Sequence, residues 1–267
     1  MNFAKVTLSA ALVVAMGSAG ASAAVTAAWN FDSLSSGGTV ATDISGNGHD
    51  VTFNDVMTLS DSNPFNPTGV PATGDKSLSK HPGEVWGMIA NPNTALPQYS
   101  SFTMEGWIYP KAYQSSTLIG FGGNTQYGSN SIVLGMDNAG HPTARVYMED
   151  AGGGSHVGTE VIPLNQWTHL ALTFVSGGTG TLYVNGDVSA SWTQSNWVPG
   201  GGLPTGVIGN GFDYGSLNGL IDDVRVSDTV LSPSEFTLHN SLSVPEPASA
   251  ALLGLGGLLL IQRKRQA

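Results

Sequence analysis

The chain has 267 residues, no cysteine, and nine Lys or Arg against nineteen Asp or Glu, for a formal charge of −10. The lack of cysteine excludes disulfides, thiol catalysis and Cys-type zinc sites, so a fold of this size has to rely on its core. From residue 24 to 244 five Lys or Arg face eighteen Asp or Glu, a formal charge of −13; such a surface repels nucleic acid and suits divalent cations.

The N-terminus carries Lys5, an apolar run from Val6 to Met16 and the small residues Ala21-Ser22-Ala23. That order predicts a secretory signal peptide over residues 1–23, cleaved after Ala23. Val25 to Asp32 then reads as a strand ending on a carboxylate. Asp43-Ile44-Ser45-Gly46-Asn47-Gly48-His49-Asp50 is too rich in Gly, Asn and Asp for a regular strand. Its side chains can close Asx turns, and the same geometry turns oxygens toward one point, so it reads as a tight turn or as a cation-binding loop. A strand Val51-Thr52-Phe53 follows.

Residues 60 to 100, rich in Pro, Ser, Asn and Gly, predict short strands and long loops around Val85 to Ile89. Phe102 to Pro110 is a clear strand, with Phe102, Met104 and Ile108 on one face and Glu105, Trp107 and Tyr109 on the other. Further strands are expected at Thr117–Phe121, Ser131–Met136 and Ala144–Met148, with a loop at Gly152-Gly153-Gly154-Ser155. From His169 to Asp187 the alternation of Leu170, Leu172 and Phe174, a Ser-Gly-Gly-Thr-Gly break, then Leu182 and Val184 describe a meander. Asn185-Gly186 supplies the two residues that a type I′ hairpin turn requires at positive φ. The soluble part closes with a strand through Leu220 to Val226 and one helical turn, for which Ser232, Pro233 and Glu235 provide the cap, first position and capping-box acid.

At the C-terminus Val244-Pro245-Glu246-Pro247 leads into an apolar run from Ala248 to Ile261 and then Gln262-Arg263-Lys264-Arg265. Fourteen helical residues reach only about 21 Å, short of a hydrocarbon core of about 30 Å. The basic cluster favours the cytoplasmic side, in agreement with the signal peptide. This segment, residues 243–267, resembles the PEP-CTERM sorting signal of Gram-negative bacteria, carried by Pro245, Glu246, Pro247 and Arg263, Lys264, Arg265. The resemblance implies processing by an exosortase-type enzyme, transient contact with the inner membrane, and a destination in the cell envelope, outer surface or extracellular matrix.

Four further pieces, in order, resemble the LamG-like jelly-roll domain of the concanavalin A-like lectin and glucanase superfamily. They are Trp29-Asn30-Phe31-Asp32 with Asp43 to Gly48, Phe102 to Ile108, His169 to Gly186, and Gly219 to Val226 with Leu231-Ser232. The resemblance implies an all-β fold of two antiparallel sheets in a jelly-roll sandwich over residues 24–242. It also implies a carbohydrate- or partner-binding role, with exopolysaccharide as a candidate ligand. A structural surface domain without a ligand is the alternative, and a glycoside hydrolase a more distant one. The hydrolase lacks support because the strands show no pair of carboxylates at alternate positions. Nor is there a His-Glu-x-x-His motif, and Ser155 lacks a nucleophile elbow. No catalytic residue is therefore assigned.

Trp192 and Trp197, read as loop residues flanking Gln and Asn, are candidates for sugar stacking, whereas Trp29, Trp107 and Trp167 read as packing residues. If the first and last strands are neighbours, as the resemblance implies, Asp32, Asp43, Asn47 and Asp222 meet at one rim and could hold one structural calcium ion. Asp222 is chosen over Asp223 because strict alternation puts it with Val224 and Val226, and Asp223 with Arg225.

Overall fold

The computed structural model describes residues 25–65, 75–80, 87–96, 101–122, 131–148, 152–175, 177–193, 205–211 and 215–238. The predicted signal peptide, Trp197 and the predicted sorting tail lie outside these. Among the described residues no helix is long and apolar enough to cross a membrane.

The molecule is a sandwich of two antiparallel eight-stranded sheets. One sheet contains β1 (Val25–Trp29), β4 (Thr58–Ser60), β5 (Ser77–Lys80), β7 (Ser101–Pro110), β12 (Thr168–Val175), β13 (Thr179–Val184), β14 (Asp187–Thr193) and β16 (Gly219–Ser227). The other contains β2 (Val40–Ala41), β3 (Val51–Phe53), β6 (Gly87–Ile89), β8 (Ser116–Gly122), β9 (Ser131–Met136), β10 (Pro142–Met148), β11 (Gly152–Val157) and β15 (Thr205–Ile208). The first runs β14-β13-β12-β7-β16-β5-β4 and the second β11-β10-β9-β8-β15-β6-β3-β2. One short helix, α1 (Pro92–Ala95), and a 3-10 turn, Pro233–Glu235, complete the regular structure of the described residues.

Strand alternation puts the core where the two inner faces meet. Phe102, Met104, Ile108, Leu170, Leu172 and Phe174 of β7 and β12 are buried against Ile119, Phe121, Ile132, Leu134 and Val146 of the other sheet. Phe102 and Phe174, direct cross-strand partners, stack at 5.7 Å. The β13–β14 turn forms as its residues require, with Asn185 at φ 50° and Gly186 at φ 87°. Ser232 donates its N–H to Glu235 Oε2 at 2.8 Å, closing the reciprocal half of the capping box.

Three local readings change. The Gly152–Ser155 stretch is the start of edge strand β11, paired to β10 from Met148↔Gly152 to Thr143↔Val157, because backbone pairing needs no side chain. Trp192 belongs to β14 instead of a loop. In β16 a bulge separates the pairs Asp222↔Trp107 and Arg225↔Glu105, with Asp223 at φ 45°. The inserted residue breaks strict alternation, so Asp222 shares the outer face with Trp107 and Arg225, not the core face of Val224 and Val226.

Strand β16 organises the outer sheet. One edge pairs with β7 along its length except at the bulge, while the other pairs first with β5 at Gly219–Ile221 and then with β1 at Val224–Ser227. The bulge lies where the partner changes. First and last strands are therefore neighbours.

Candidate functional site

The gap between β1 and β5 gathers carboxylates. The chain leaving β1 turns at Phe31, φ 51°, and presents Asp32; the chain entering β5 presents Asp75; Asp222 and Asp223 reach the gap from the bulge. Asp32 accepts from the Lys76 backbone N–H at 3.1 Å, and the Asp32 and Asp75 carboxyls are hydrogen-bonding neighbours. Burial, reinforced by Asp75, raises the Asp32 carboxyl above its ordinary value. Asp222 is fully buried. Its Oδ1 accepts from the Asp223 N–H at 2.8 Å, and its Oδ2 has no hydrogen-bond partner. Burial first, then the charges of Asp223, Asp75 and Asp32, pushes the Asp222 carboxyl well above the usual range. An orphaned buried oxygen amid other carboxylates matches the donor chemistry of a hard cation. Among the described residues no three His, Asp or Glu side chains form a ready-made metal-binding group, so backbone carbonyls or water would have to complete a coordination shell.

Asp43 and Asn47 have other work. Asp43 accepts from the N–H groups of Ala28, Ser45 and His49 at 2.9–3.0 Å and from Ser45 Oγ at 2.8 Å. Burial would raise its carboxyl, but these bonds outweigh burial and lower it. Asn47 donates through Nδ2 to the carbonyls of Val25 and Thr26. The pair clamps the 43–50 turn onto β1, and Asp75, which the sequence pattern did not single out, stands nearer to Asp32 and Asp222.

The outer face of the same sheet carries a cleft of about 590 Å³, within the range of about 300–1,000 Å³ of small-molecule sites. Trp107 and Tyr109 of β7 line it, alternate residues that one strand face must present together. Asn165, Gln166 and Trp167, on the loop before β12, form a second wall, and Asn185 of the hairpin turn a third. Pro64 and Leu238 close the rim. Tyr109 and Trp167 set their rings 5.5 Å apart at 60°, and Trp167 Nε1 donates to Ser62 Oγ at 3.3 Å. Asn185 accepts the His169 N–H through Oδ1 at 2.9 Å, which leaves its Nδ2 as a donor. The Trp107 ring is fixed by an edge contact to His169 at 5.2 Å and by a bond from Nε1 to the Thr237 carbonyl at 2.8 Å.

Under this face lies a buried polar network. Glu105, with no exposure, accepts from Arg225 Nε at 2.6 Å and from the Thr237 N–H at 3.0 Å, and its Oε2 lies 2.9 Å from His169 Nε2. Leu231 and Phe236 pack beside it on Ala171, so residues 231–238 cover Glu105 and His169 and bring Leu238 to the cleft.

Trp192 is committed to packing. It stacks on His156 at 3.8 Å and 8°, and a Cβ at Gly180 would come within 2.3 Å of its indole. Trp167, read from the sequence as a packing residue, is instead half-buried in the cleft. Its neighbours Asn165 and Gln166 were the available signal, an exposed amide pair preceding an aromatic ring.

A family model described as the concanavalin A-like lectin/glucanases superfamily matches residues 87–236. No curated protein sequence matches the chain. Among solved structures, the binding domain of Paraclostridial Mosquitocidal Protein 1 is similar, with a TM-score of 0.57 and 16% identity over 80% of this chain and 50% of that one. The receptor-binding domain of botulinum neurotoxin mosaic serotype C/D gives 0.56 and 16%, over 79% and 49%. Domain 4 of AbnA, a GH43 extracellular arabinanase from Geobacillus stearothermophilus solved with arabinotriose, gives 0.53 and 22%, over 80% and 96%. This chain spans about half the length of the two toxin domains and nearly all of the arabinanase domain. At these identities the likeness is one of fold.

Proposed function

The chain belongs to the concanavalin A-like lectin/glucanases superfamily, and on that premise we propose that it is a non-enzymatic, carbohydrate-binding surface or matrix protein. The carrying observation is the cleft, where Tyr109 and Trp167 offer ring faces to the C–H face of a sugar and Asn165, Gln166 and Asn185 offer amide donors and acceptors to its hydroxyls. The cleft lining holds no carboxylate among the described residues, whereas glycoside hydrolysis needs two flanking the scissile bond. The arabinanase domain, of the same fold, carries arabinotriose. The test is a glycan array with wild type, Trp167→Ala and Trp192→Ala. Trp167→Ala loses binding, and Trp192→Ala lowers the melting temperature while keeping it; no binding to any glycan, including the producer's own exopolysaccharide, refutes the reading.

Two further elements belong to the proposal. One calcium ion sits in the gap between β1 and β5, with Asp222 and Asp32 as its carboxylate ligands and carbonyl and water oxygens completing the shell; it would neutralise carboxylates that otherwise repel one another. The residues 1–23 and 243–267, both outside the described residues, direct export and PEP-CTERM sorting by an exosortase-type enzyme, through Pro245, Glu246, Pro247 and Arg263 to Arg265. That route ends in the envelope or matrix of a Gram-negative bacterium.

A further inference from the structure

We infer that the cleft selects uncharged glycans and rejects uronate-containing or sulfated ones; the inference rests on the carbohydrate reading and names its ligand class. The argument starts from the polar groups of the lining. Asn165, Gln166 and Asn185 are exposed amides, the first two able to donate and to accept and Asn185 keeping its Nδ2 to donate, which is the pattern that a hydroxyl, itself donor and acceptor, can satisfy. A carboxylate or sulfate is acceptor-only and calls for Arg or Lys, with a bidentate guanidinium as the strong solution. Among the described residues the lining includes neither.

Two cations near this sheet, Arg225 and Lys76, are engaged elsewhere. Arg225 is held by Glu105 and donates to the Glu235 carbonyl at 2.7 Å, and Lys76 is paired with Asp61. Lys111, beyond the end of β7, is exposed and outside the lining. The domain's formal charge of −13 adds a long-range field that lowers the local concentration of any polyanion. The aromatic walls act in the same direction. Tyr109 and Trp167, meeting at 60°, form an angled apolar corner that gains by burying C–H surface and would cost the desolvation of a charged substituent.

The experiment is affinity electrophoresis and calorimetry of the full mature protein with dextran, laminarin, mannan and arabinan as neutral polymers, and alginate and polygalacturonate as anionic ones. Each is measured at low and high salt, with Trp167→Ala, Gln166→Ala and Lys111→Ala beside wild type. The expected result is retention by at least one neutral polymer, insensitive to salt, weakened about tenfold or more by Trp167→Ala and measurably by the exposed Gln166→Ala, and unchanged by Lys111→Ala. Anionic polymers give no retention even at low salt. Retention by alginate or polygalacturonate that Trp167→Ala abolishes overturns the selectivity and leaves carbohydrate binding standing. Retention of a neutral polymer indifferent to both cleft variants overturns the cleft as its site, and retention by no polymer overturns both readings.

Discussion

Glu105 shows how a single buried charge is made tolerable and what it costs to disturb. Burial alone would raise its carboxyl; the His169 hydrogen bond, the Arg225 guanidinium and the Thr237 N–H outweigh burial and hold it below the ordinary glutamate value. The folded state therefore binds fewer protons than the unfolded chain, and the ionised network stabilises the fold. That stabilisation is complete above the unfolded value of about 4.3 and is lost as pH falls through the lower folded value. Replacing Glu105 by Gln leaves Arg225 without its counter-charge and is expected to cost about 3 kcal/mol at neutral pH. Urea midpoints of wild type and Glu105→Gln should converge on acidification, and a gap that stays constant from neutral to strongly acid pH would contradict the account.

Among the elements, the β13–β14 hairpin has the most consequence for the proposed glycan site, since its turn places Asn185 in the cleft. Gly186 sits at φ 87°, where an L side chain is strained, and a Cβ there would come 2.9 Å from Leu238 Cδ1. Gly186→Ala should destabilise the protein by about 1 kcal/mol or more. Because the same contact moves Leu238 at the rim, glycan affinity should fall with it. Unchanged denaturation and unchanged affinity in this variant would show that the turn does not shape the cleft. Strand β16 offers the complementary lesson: one inserted residue at Asp223 turns Asp222 from the core face to the outer face.

For the whole molecule, the calcium ion proposed for the β1–β5 gap predicts a stability that depends on divalent cations. A ligand that binds only the folded state raises its stability in proportion to the logarithm of its concentration over Kd. Calcium should therefore raise the melting temperature and chelator lower it, and Asp222→Asn should lose most of that difference. A midpoint indifferent to calcium, with no metal in elemental analysis, removes the ion. At the termini the expected outcome is a mature chain beginning at Ala24 and lacking its basic end; intact mass spectrometry of protein from its native host, still ending at Ala267, would contradict sorting by tail processing.

The strand periodicity of β7, β12 and β13, the Asn185-Gly186 turn and the capping box were legible in the sequence because each is decided by neighbours a few residues apart, where side-chain period and turn φ act directly. The neighbourhood of first and last strands came from the family resemblance and holds in the pairing of β1 with β16. The cleft was not legible, since Pro64, Trp107, Trp167, Asn185 and Leu238 are joined only by the packing of separate loops over one sheet face. The acidic gap was half legible: Asp32 and Asp222 follow from strand order, but Asp75 depends on β5, which carries too little periodicity to read, and the side on which Asp222 emerges depends on a bulge that alternation cannot foresee. Local chemistry sets which residues make strands and turns, whereas register and chain crossing, which are long-range properties, decide which of those residues share a surface.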